Sequence, residues 1–333
     1  MPDFRKILIV KPSSLGDVVH SLPFLDVLRQ RFPDAEIHWV IAKGLEGLVE
    51  GHSMIDRVIV INKDLWKRIS KAGQTIGEIR ALFRGLRNEK YDLVADLQGL
   101  LRSGVITYAT KAPVRIGFAS AREGSSLFYT KKVAADRNMH AVDRYLRIAA
   151  ELGCNIEKVS FPFADTGAAD AVSGLPDEYA VIVPGARWKT KIWPAEYFAE
   201  VASILSISSV VIGSRADMHT GEEIVRGSGG RAVSLAGQTT LGQLTDIIRK
   251  SRIVITNDSG PMHIAAALNI PVVAIFGPTS AARTGPYGKG HVILQSHAEC
   301  VPCFSRECST MQCMKDIGPE AVLNAAGQIL GKR

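Results

Sequence analysis

Short apolar runs alternate with longer amphipathic stretches along most of this 333-residue chain, and this alternation limits the fold more than any other feature. Runs of about five apolar residues suit strands buried on both faces, whereas apolar residues three and four positions apart suit helices. Strands that alternate with helices form βαβ units and a parallel sheet. The sequence therefore predicts an α/β fold.

The first half of the chain contains one such series. Predicted strands cover residues 6–10, 36–42, 56–61, 91–96 and 114–118. Predicted helices cover residues 17–32, 74–89, 99–110 and 140–152. Pro23 is expected to kink the first helix, because proline removes a backbone donor and clashes with the preceding turn. Residues 119–135 give no clear pattern.

The alternation lapses between Cys154 and Glu178, a polar stretch with two prolines that is typical of a linker. Predicted strands then follow at 179–183, 209–213, 232–235, 253–257 and 271–276, with helices near 194–205, 217–226, 240–250 and 259–268. We therefore predict a Rossmann-like N-terminal domain (1–160), a linker (161–178) and a second such domain (179–333), and we consider that the last helix returns to the first domain. Two such domains are expected to form a cleft lined by loops after the strands.

Composition and missing motifs exclude several classes of protein. Hydrophobic residues make up 46% and charged residues 22%, which excludes a disordered, fibrous or disulfide-scaffold chain. The sequence contains no GxGxxG after the first strand, and no GxxxxGK[S/T], HExxH or GxSxG. The absence of these motifs argues against a dinucleotide-dependent oxidoreductase or a P-loop enzyme.

The turn after the first strand, Lys11–Asp17, is rich in small residues. Ser13, Ser14 and Gly16 allow a ligand to approach the backbone, and Asp17 falls at the start of the next helix. Such a carboxylate either caps the helix or acts as a general base towards an acceptor hydroxyl. The residues alone favour the cap.

Two turns in the second half suit anions. Asn257–His263 places small residues at the start of a helix, where free N–H groups and the helix dipole favour a phosphate, with a capped helix and a packed histidine as the alternative. Pro184–Pro194 carries three cations before another helix and suits a diphosphate, although it also fits a plain surface loop. The second half is thus predicted to hold a nucleotide diphosphate and the first half its reaction partner.

Positive charge is concentrated in the first half of the chain. Residues 1–165 hold 25 basic and 19 acidic side chains, whereas residues 166–333 hold 15 and 14. Residues 57–90 alone carry nine Lys and Arg against three acidic residues, with Trp66 among them. This basic segment suits an anionic partner such as a phosphorylated lipid, a membrane surface or nucleic acid, or else it is a solvated helix face.

No signal peptide and no membrane-spanning run are recognisable, so we expect a cytoplasmic protein. Cys300, Cys303, Cys308 and Cys313 crowd into fourteen residues, and this compartment disfavours disulfides. Four thiolates at this spacing could enclose a structural zinc ion. Reduced or adventitiously oxidised thiols are the favoured interpretation.

Together these motifs resemble the lipopolysaccharide heptosyltransferases of glycosyltransferase family 9, which have the two-Rossmann GT-B fold. The resemblance runs from Lys6 to about Gly290 and rests on KPSSLGDVVHSLP, DLQGL, KIWP, DSGPMH and FGPT. The stretch from Ala121 to Val142 is most similar to the heptosyltransferase I group. In contrast, the cysteine cluster is more typical of heptosyltransferase II-like members.

The resemblance implies a role for each matching residue. Asp17 matches the catalytic base. The nucleotide-sugar site is implied to contain Ala186, Arg187, Lys191, Asp217, Asp258, Ser259, Gly260 and His263. Asp217 matches by type and spacing, with Glu222 as the alternative. The acceptor site is implied to contain Ser14, Gly16, Lys63, Lys67, Arg68, Gln98, Arg122 and His140.

The implied reaction is inverting transfer of heptose from ADP-heptose to the Kdo of Kdo-lipid A. No cofactor is implied. The enzyme is expected to be a monomer at the cytoplasmic face of the inner membrane and to bind no nucleic acid. One alternative is a family member that acts on a later core acceptor. The other is a non-catalytic protein that binds a nucleotide and docks on membranes through residues 57–90.

Overall fold

A computed structural model describes residues 3–62, 72–164 and 172–331. The chain divides into two compact units, Met1–Asp165 and Thr166–Arg333. This boundary falls within residues 161–178, the predicted linker. In the described residues each unit contains a six-stranded parallel sheet, which confirms the predicted fold class.

The first sheet has the strand order β3-β2-β1-β4-β5-β6. Its strands are β1 (Lys6–Val10), β2 (Glu36–Ala42), β3 (Arg57–Ile61), β4 (Leu93–Asp96), β5 (Val114–Phe118) and β6 (Lys131–Val133). Strand β4 is buried along its whole length, and in β1 only Lys6 is partly exposed. Apolar runs predict such strands well. Strand β6 was not predicted, because its sequence is Lys-Lys-Val.

The helices of this unit lie between the strands. They are α1 (Leu15–Val19), α2 (Leu22–Arg31), α3 (Ala72–Asn88), α4 (Leu101–Ala109) and α5 (Ala141–Glu151). The predicted helix 17–32 is therefore wrong in one respect: the chain forms two helices that are separated at His20 and Ser21. Pro23 causes no kink, because it lies in the first turn of α2, where its missing N–H needs no partner.

The second sheet has the order β12-β11-β10-β7-β8-β9. Its strands are β7 (Tyr179–Val183), β8 (Ser208–Val211), β9 (Ala232–Ser234), β10 (Ile253–Asn257), β11 (Val272–Phe276) and β12 (Val292–Gln295). Its helices are α6 (Ala195–Ile204), α7 (Met218–Gly227), α8 (Leu241–Lys250), α9 (Gly260–Ala267), α10 (Ala281–Thr284), α11 (Gln312–Lys315) and α12 (Pro319–Leu330). The sequence patterns gave no bounds for β12 or for the last three helices.

The last helix, α12, packs within the second unit. Val322, Ala325 and Ala326 of α12 are buried in the core of the second unit, together with Phe198 of α6 and Ile255 of β10. That the helix also returns to the first domain stays a prediction. Its apolar face is already covered by the sheet that precedes it.

Among the described helices, none is both long enough and apolar enough to cross a bilayer.

Each sheet has a point where the strand order reverses. Counted from its own first strand, each sheet follows the order 3-2-1-4-5-6 of Rossmann-like domains. The reversal lies between β1 and β4 in the first unit and between β7 and β10 in the second. Ligands bind outside the carboxyl ends of the strands at such a point. The candidate turns 11–17, 184–194 and 257–263 all begin at these strand ends.

Candidate active site

Asp17 lies in the first turn of α1, directly beyond β1. One of its carboxylate oxygens, Oδ2, accepts hydrogen bonds from the backbone N–H of Ser14 (2.9 Å) and from the Ser14 hydroxyl (2.6 Å). Ser14 and Asp17 form a capping box, so Asp17 does cap the helix, as its position in the sequence favours. The side chain nevertheless remains 39% exposed. A group that is fixed on one oxygen and open to solvent can still receive a proton.

The other oxygen of Asp17 faces two groups that sequence patterns did not identify. The Lys11 ammonium lies 3.8 Å from Oδ1, and the Tyr145 hydroxyl lies 3.4 Å from the same atom. Lys11 is only 2% exposed, and its ammonium donates to the carbonyl of Leu97 and lies over the Tyr145 ring. Burial lowers the pKa of Lys11, and the charges of Asp17 and Asp96 oppose that shift. A buried cation therefore lies against the candidate base.

Asp96, at the end of β4, organises the neighbouring turn. Its fully buried carboxylate accepts from the backbone N–H groups of Gln98 (2.9 Å) and Gly99 (3.0 Å) and from the Tyr129 hydroxyl (2.7 Å). Burial raises the pKa of Asp96, and hydrogen bonds from Gly99 and Tyr129 oppose that rise. The Gln98 side chain in turn accepts from the backbone N–H of Ser13. The turn after β4 thus supports the turn that carries the candidate base.

We predict that Tyr129→Phe lowers the free energy of unfolding by about 1–3 kcal/mol, because it removes the hydrogen bond that the Tyr129 hydroxyl donates to the buried Asp96 carboxylate. Urea denaturation measures the change. Tyr108→Phe is the matched control, since Tyr108 is 46% exposed. Equal stability of the two variants would show that the Tyr129–Asp96 bond does not hold this turn.

The other predicted acceptor residues of the described chain lie at the same edge of the first sheet. The exposed Arg122 follows β5, and its backbone N–H donates to the carbonyl of Gly99. His140 caps α5 through its imidazole, and its ring packs against that of His20, 5.2 Å between centroids. Ser14 and Gly16 belong to the same turn as Asp17. Lys63, Lys67 and Arg68 lie outside the described residues.

In the second unit, Lys191 and Asp258 form an ion pair. The Lys191 ammonium donates to Asp258 Oδ2 at 2.7 Å, and the hydroxyl of Thr279 donates to the same oxygen at 2.7 Å. The two charged side chains are 15% and 6% exposed. Lys191 also lies over the ring of Trp188. Three separate strand ends, those of β7, β10 and β11, therefore meet at one partly buried charge pair.

Asn257 ties two of these turns together. Its side-chain amide donates to the carbonyl of Pro184 (2.6 Å) and accepts from the backbone N–H of Trp193 (3.2 Å). The buried Asn257 thus fixes both ends of the 184–194 turn. Residues Ala186 and Arg187 lie in that turn, with Arg187 exposed. Neither Asn257 nor Thr279 was predicted as a site residue, although both lie in segments that the sequence singled out.

Asp217 lies against the ends of β7 and β8. A Cβ atom on Gly185 would come within 2.4 Å of its carboxylate, and one on Gly213 within 2.8 Å of its Cβ. The carboxylate accepts from the backbone N–H and the hydroxyl of Ser214, both at 2.7 Å. The two glycines therefore allow this carboxylate to lie close to the backbone at the switch point.

The first turn of α9 contains the remaining candidates. Ser259 occupies the N-cap position, and its hydroxyl lies 3.0 Å from that of Thr256. Gly260 begins the helix, and His263 is buried one turn later. All the predicted nucleotide residues thus lie at the carboxyl edge of the second sheet.

The four clustered cysteines follow β12 at that same edge. Cys300, Cys303 and Cys308 are exposed and Cys313 is buried. Burial raises the pKa of the Cys313 thiol, and the charges of the other three thiols raise it further. In the described chain, the ligand atoms of three or more His, Cys, Asp or Glu residues come within 4.8 Å of one another only at Glu36, His38 and Glu89. The Lys6 ammonium already pairs with both of those glutamates.

A family model described as glycosyltransferase family 9 (heptosyltransferase) matches residues 79–314, more than half of the sequence. The chain belongs to glycosyltransferase family 9. It is thus an enzyme, a glycosyltransferase, and the resemblance carried by its motifs is confirmed.

The family relatives are similar over most of their length. Lipopolysaccharide heptosyltransferase 1 of Pseudomonas aeruginosa is 32% identical, over 91% of this chain and 87% of the relative. The E. coli heptosyltransferase WaaC, solved with ADP-2-deoxy-2-fluoro heptose, is 26% identical with a TM-score of 0.79, over 97% of this chain and 99% of that one. E. coli ADP-heptose heptosyltransferase II is 26% identical with a TM-score of 0.80, over 98% and 99%. The GT-B prediction for this family 9 enzyme is thereby confirmed.

Proposed function

We propose that this family 9 enzyme is a lipopolysaccharide core heptosyltransferase that moves L-glycero-D-manno-heptose from ADP-heptose to the Kdo of Kdo-lipid A. The donor is supported by the solved relative that holds an ADP-heptose analogue. The acceptor is supported by the similarity to lipopolysaccharide heptosyltransferase 1 over most of both chains. The observation that carries the proposal is Asp17 itself, a fixed yet solvent-accessible carboxylate at the switch point of the first sheet.

The proposed chemistry begins with proton transfer to Asp17. An acceptor hydroxyl gives its proton to the carboxylate, and the resulting nucleophilic oxygen forms a bond to the anomeric carbon of heptose. The bond between that carbon and the diphosphate breaks on the opposite face, and ADP departs with the electron pair. The anomeric configuration is therefore inverted. The Lys11 ammonium lies 3.8 Å from the carboxylate, and Ser14 holds the orientation of the Asp17 side chain.

The departing diphosphate is assigned to the second unit. Lys191 is the cation that would exchange part of its pairing with Asp258 for the phosphate oxygens, and the N–H groups after Ser259 would donate to them. Charge that develops on the leaving group is best stabilised by donors that are fixed in advance. Asn257 and Thr279 supply that fixing, through the bonds to the 184–194 turn and to Asp258.

The remaining nucleotide contacts are proposed by position. Asp217 would bind the ribose, because the glycines around it bring its carboxylate to the backbone at the ends of β7 and β8. His263, Gly260, Ala186 and Arg187 complete the proposed nucleotide-sugar site. No cofactor is proposed for the transfer step.

The acceptor is assigned to the first unit. Ser14, Gly16, Gln98, Arg122 and His140 are proposed to hold the sugar around Asp17, since all follow strands of the same sheet edge or belong to its turns. The anionic lipid is assigned to the basic segment, residues 57–90. In the described part of that segment Arg80, Arg84 and Arg87 are exposed on α3, opposite the buried Leu86. We place the enzyme on the cytoplasmic face of the inner membrane, acting as a monomer.

Neutralising Lys63, Lys67 and Arg68 together to glutamine should raise the apparent KM for Kdo-lipid A by about tenfold or more, because each cation near an anionic surface contributes about 1 kcal/mol. The KM for ADP-heptose should stay unchanged. A double variant of the exposed Lys250 and Lys289 controls for general loss of charge. If the KM for Kdo-lipid A were unchanged, or if only the KM for ADP-heptose rose, the basic segment would be a solvated surface and not the acceptor site.

The direct assay follows ADP release and product configuration. With Kdo-lipid A present, ADP-heptose should yield ADP and a glycoside of inverted configuration, read by NMR. ADP release only with an already heptosylated acceptor would favour a heptosyltransferase II-like role, which the similar TM-score to that enzyme makes the second candidate. ADP binding without turnover on either acceptor would contradict the proposed acceptor class.

A further inference from the structure

The loop of residues 296–311, between β12 and α11, contains three of the four clustered cysteines and no strand or helix. Loops of this length without regular structure are uncommon in compact domains unless something else fixes them. This loop is not remote from the nucleotide residues. It contacts both of the turns to which the proposed function assigns the diphosphate.

The first contact is with the 184–194 turn. The Thr190 hydroxyl donates to the carbonyl of Ser305 at 2.8 Å. The Arg306 guanidinium lies over the ring of Trp188, 5.0 Å from its centroid, and Lys191 lies 4.6 Å from the centroid of that ring. Trp188 is therefore shared between the cysteine loop and the lysine of the nucleotide site.

The second contact is with the turn after β11. The backbone N–H of Phe304 donates to the carbonyl of Pro278 at 2.8 Å, next to Thr279, whose hydroxyl binds Asp258. A Cβ atom on Gly277 would lie 3.0 Å from the Cys313 sulfur and 2.4 Å from that of Met314. Glycine at this position thus allows one cysteine thiol to lie directly against the turn.

One of the cysteines, Cys308, has local contacts that suit a metal ligand, and the backbone after Cys303 turns sharply. The Cys308 sulfur accepts the backbone N–H of Met311 at 3.4 Å and lies 3.7 Å from the Thr310 hydroxyl, contacts that stabilise a thiolate. Phe304, directly after Cys303, has a left-handed backbone with φ of 54°. An aromatic residue rarely adopts that conformation, which persists only when surrounding structure enforces it. The chain turns sharply at this point and directs Ser305 and Arg306 to the nucleotide turn.

We propose that Cys300, Cys303, Cys308 and Cys313 form a tetrathiolate metal site, of the class that holds Zn²⁺, which fixes the cysteine loop against the nucleotide site. Four cysteines with two, four and four intervening residues supply the full ligand set of a structural zinc site. Cys313, in α11, is the buried anchor beside Gly277, and metal binding would draw the three exposed thiols to it. In the described structure no three of these thiols lie within 4.8 Å of one another, so the site requires the exposed part of the loop to close on Cys313. The assignment of the contacted turns to ADP rests on the proposed function, whereas the metal site does not.

The test measures metal content first. The purified full chain should contain one Zn²⁺, and reconstitution with Co²⁺ should give the absorption of a cobalt thiolate complex. Cys303→Ser and Cys308→Ser should each lose the metal and the cobalt band, whereas Cys154→Ser, in the first unit, should keep both. Both variant cysteines are exposed, so their replacement should leave the chain folded. A full chain without metal, with four reactive thiols or with disulfides detected by mass, would overturn the site.

ADP titration then tests the link to the nucleotide. Removing Zn²⁺ with a chelator should weaken ADP binding by about fivefold or more, the lower range of coupling between two sites, and ADP should slow zinc loss reciprocally. Metal bound at full stoichiometry with an unchanged Kd for ADP would overturn the coupling. A wild-type chain that holds zinc yet binds no ADP would instead count against the proposed function, so the two failures are distinguishable.

Discussion

Asp17→Asn should lower the kcat of heptose transfer by about 10²- to 10⁴-fold, the contribution expected of a general base. The asparagine side chain has nearly the same shape and can still accept from the Ser14 N–H, but it cannot take a proton. The Kd for ADP should remain unchanged, because the proposed nucleotide residues belong to the other unit. Initial rates of ADP release and calorimetric titration with ADP provide the two measurements.

Asp34→Asn is the matched control, since Asp34 is an exposed carboxylate of the same unit outside the site. It should leave both quantities unchanged. If Asp17→Asn turned over at the wild-type rate, Asp17 would be a helix cap and nothing more. If it lost ADP binding as well as turnover, the division of work between the units would be wrong.

Lys191→Ala should weaken ADP binding by about tenfold to a hundredfold, because a hydrogen bond from a charged group contributes about 1.5–3 kcal/mol. The substitution has a second effect in the same direction. Asp258, 6% exposed, keeps the Thr279 bond but loses its cation, so its negative charge then faces the incoming diphosphate. Calorimetric titration with ADP measures the change in Kd.

Lys189→Ala controls for this substitution, since Lys189 lies in the same turn and is exposed. Its Kd for ADP should stay within about twofold of the wild type, as expected for an exposed charge. Thermal unfolding of both variants separates lost binding from lost folding. Unchanged ADP affinity in a folded Lys191→Ala protein would remove Lys191 from the nucleotide site.

Much of the fold follows from local sequence patterns. Strands such as β1 and β7 are continuous apolar runs, and the helices between them carry apolar residues at helical spacing. The patterns failed where the local signal is absent. Strand β6 is mostly lysine, and the break between α1 and α2 falls within a continuous amphipathic pattern.

The candidate site was predictable where it lies in turns after strands. Asp17, Lys191 and Asp258 stand in short polar segments that interrupt apolar runs, and such segments are visible in one sequence. The supporting residues were not predictable in this way. Lys11 has the appearance of a surface lysine but is buried, and Tyr145 belongs to the apolar face of α5 yet lies 128 positions from Asp17, whose carboxylate it contacts.

Asp96 and Asn257 illustrate the same limit in each unit. Both end a central strand and are fully buried. The Asp96 carboxylate binds backbone N–H groups of its own turn and the Tyr129 hydroxyl, whereas the Asn257 side chain binds backbone groups of the 184–194 turn. A buried polar group must find such partners, but the sequence does not say which turn supplies them. For Asn257 the strand order determines it, since β10 lies beside β7.

The most direct test offers two acceptors in one reaction. Equal concentrations of Kdo-lipid A and its singly heptosylated form are incubated with limiting ADP-heptose and the full chain, and mass spectrometry follows both. We predict that Kdo-lipid A gains one heptose while the heptosylated acceptor gains none above the Asp17→Asn background. Heptose added only to the already heptosylated acceptor, or to neither, would contradict the proposed function.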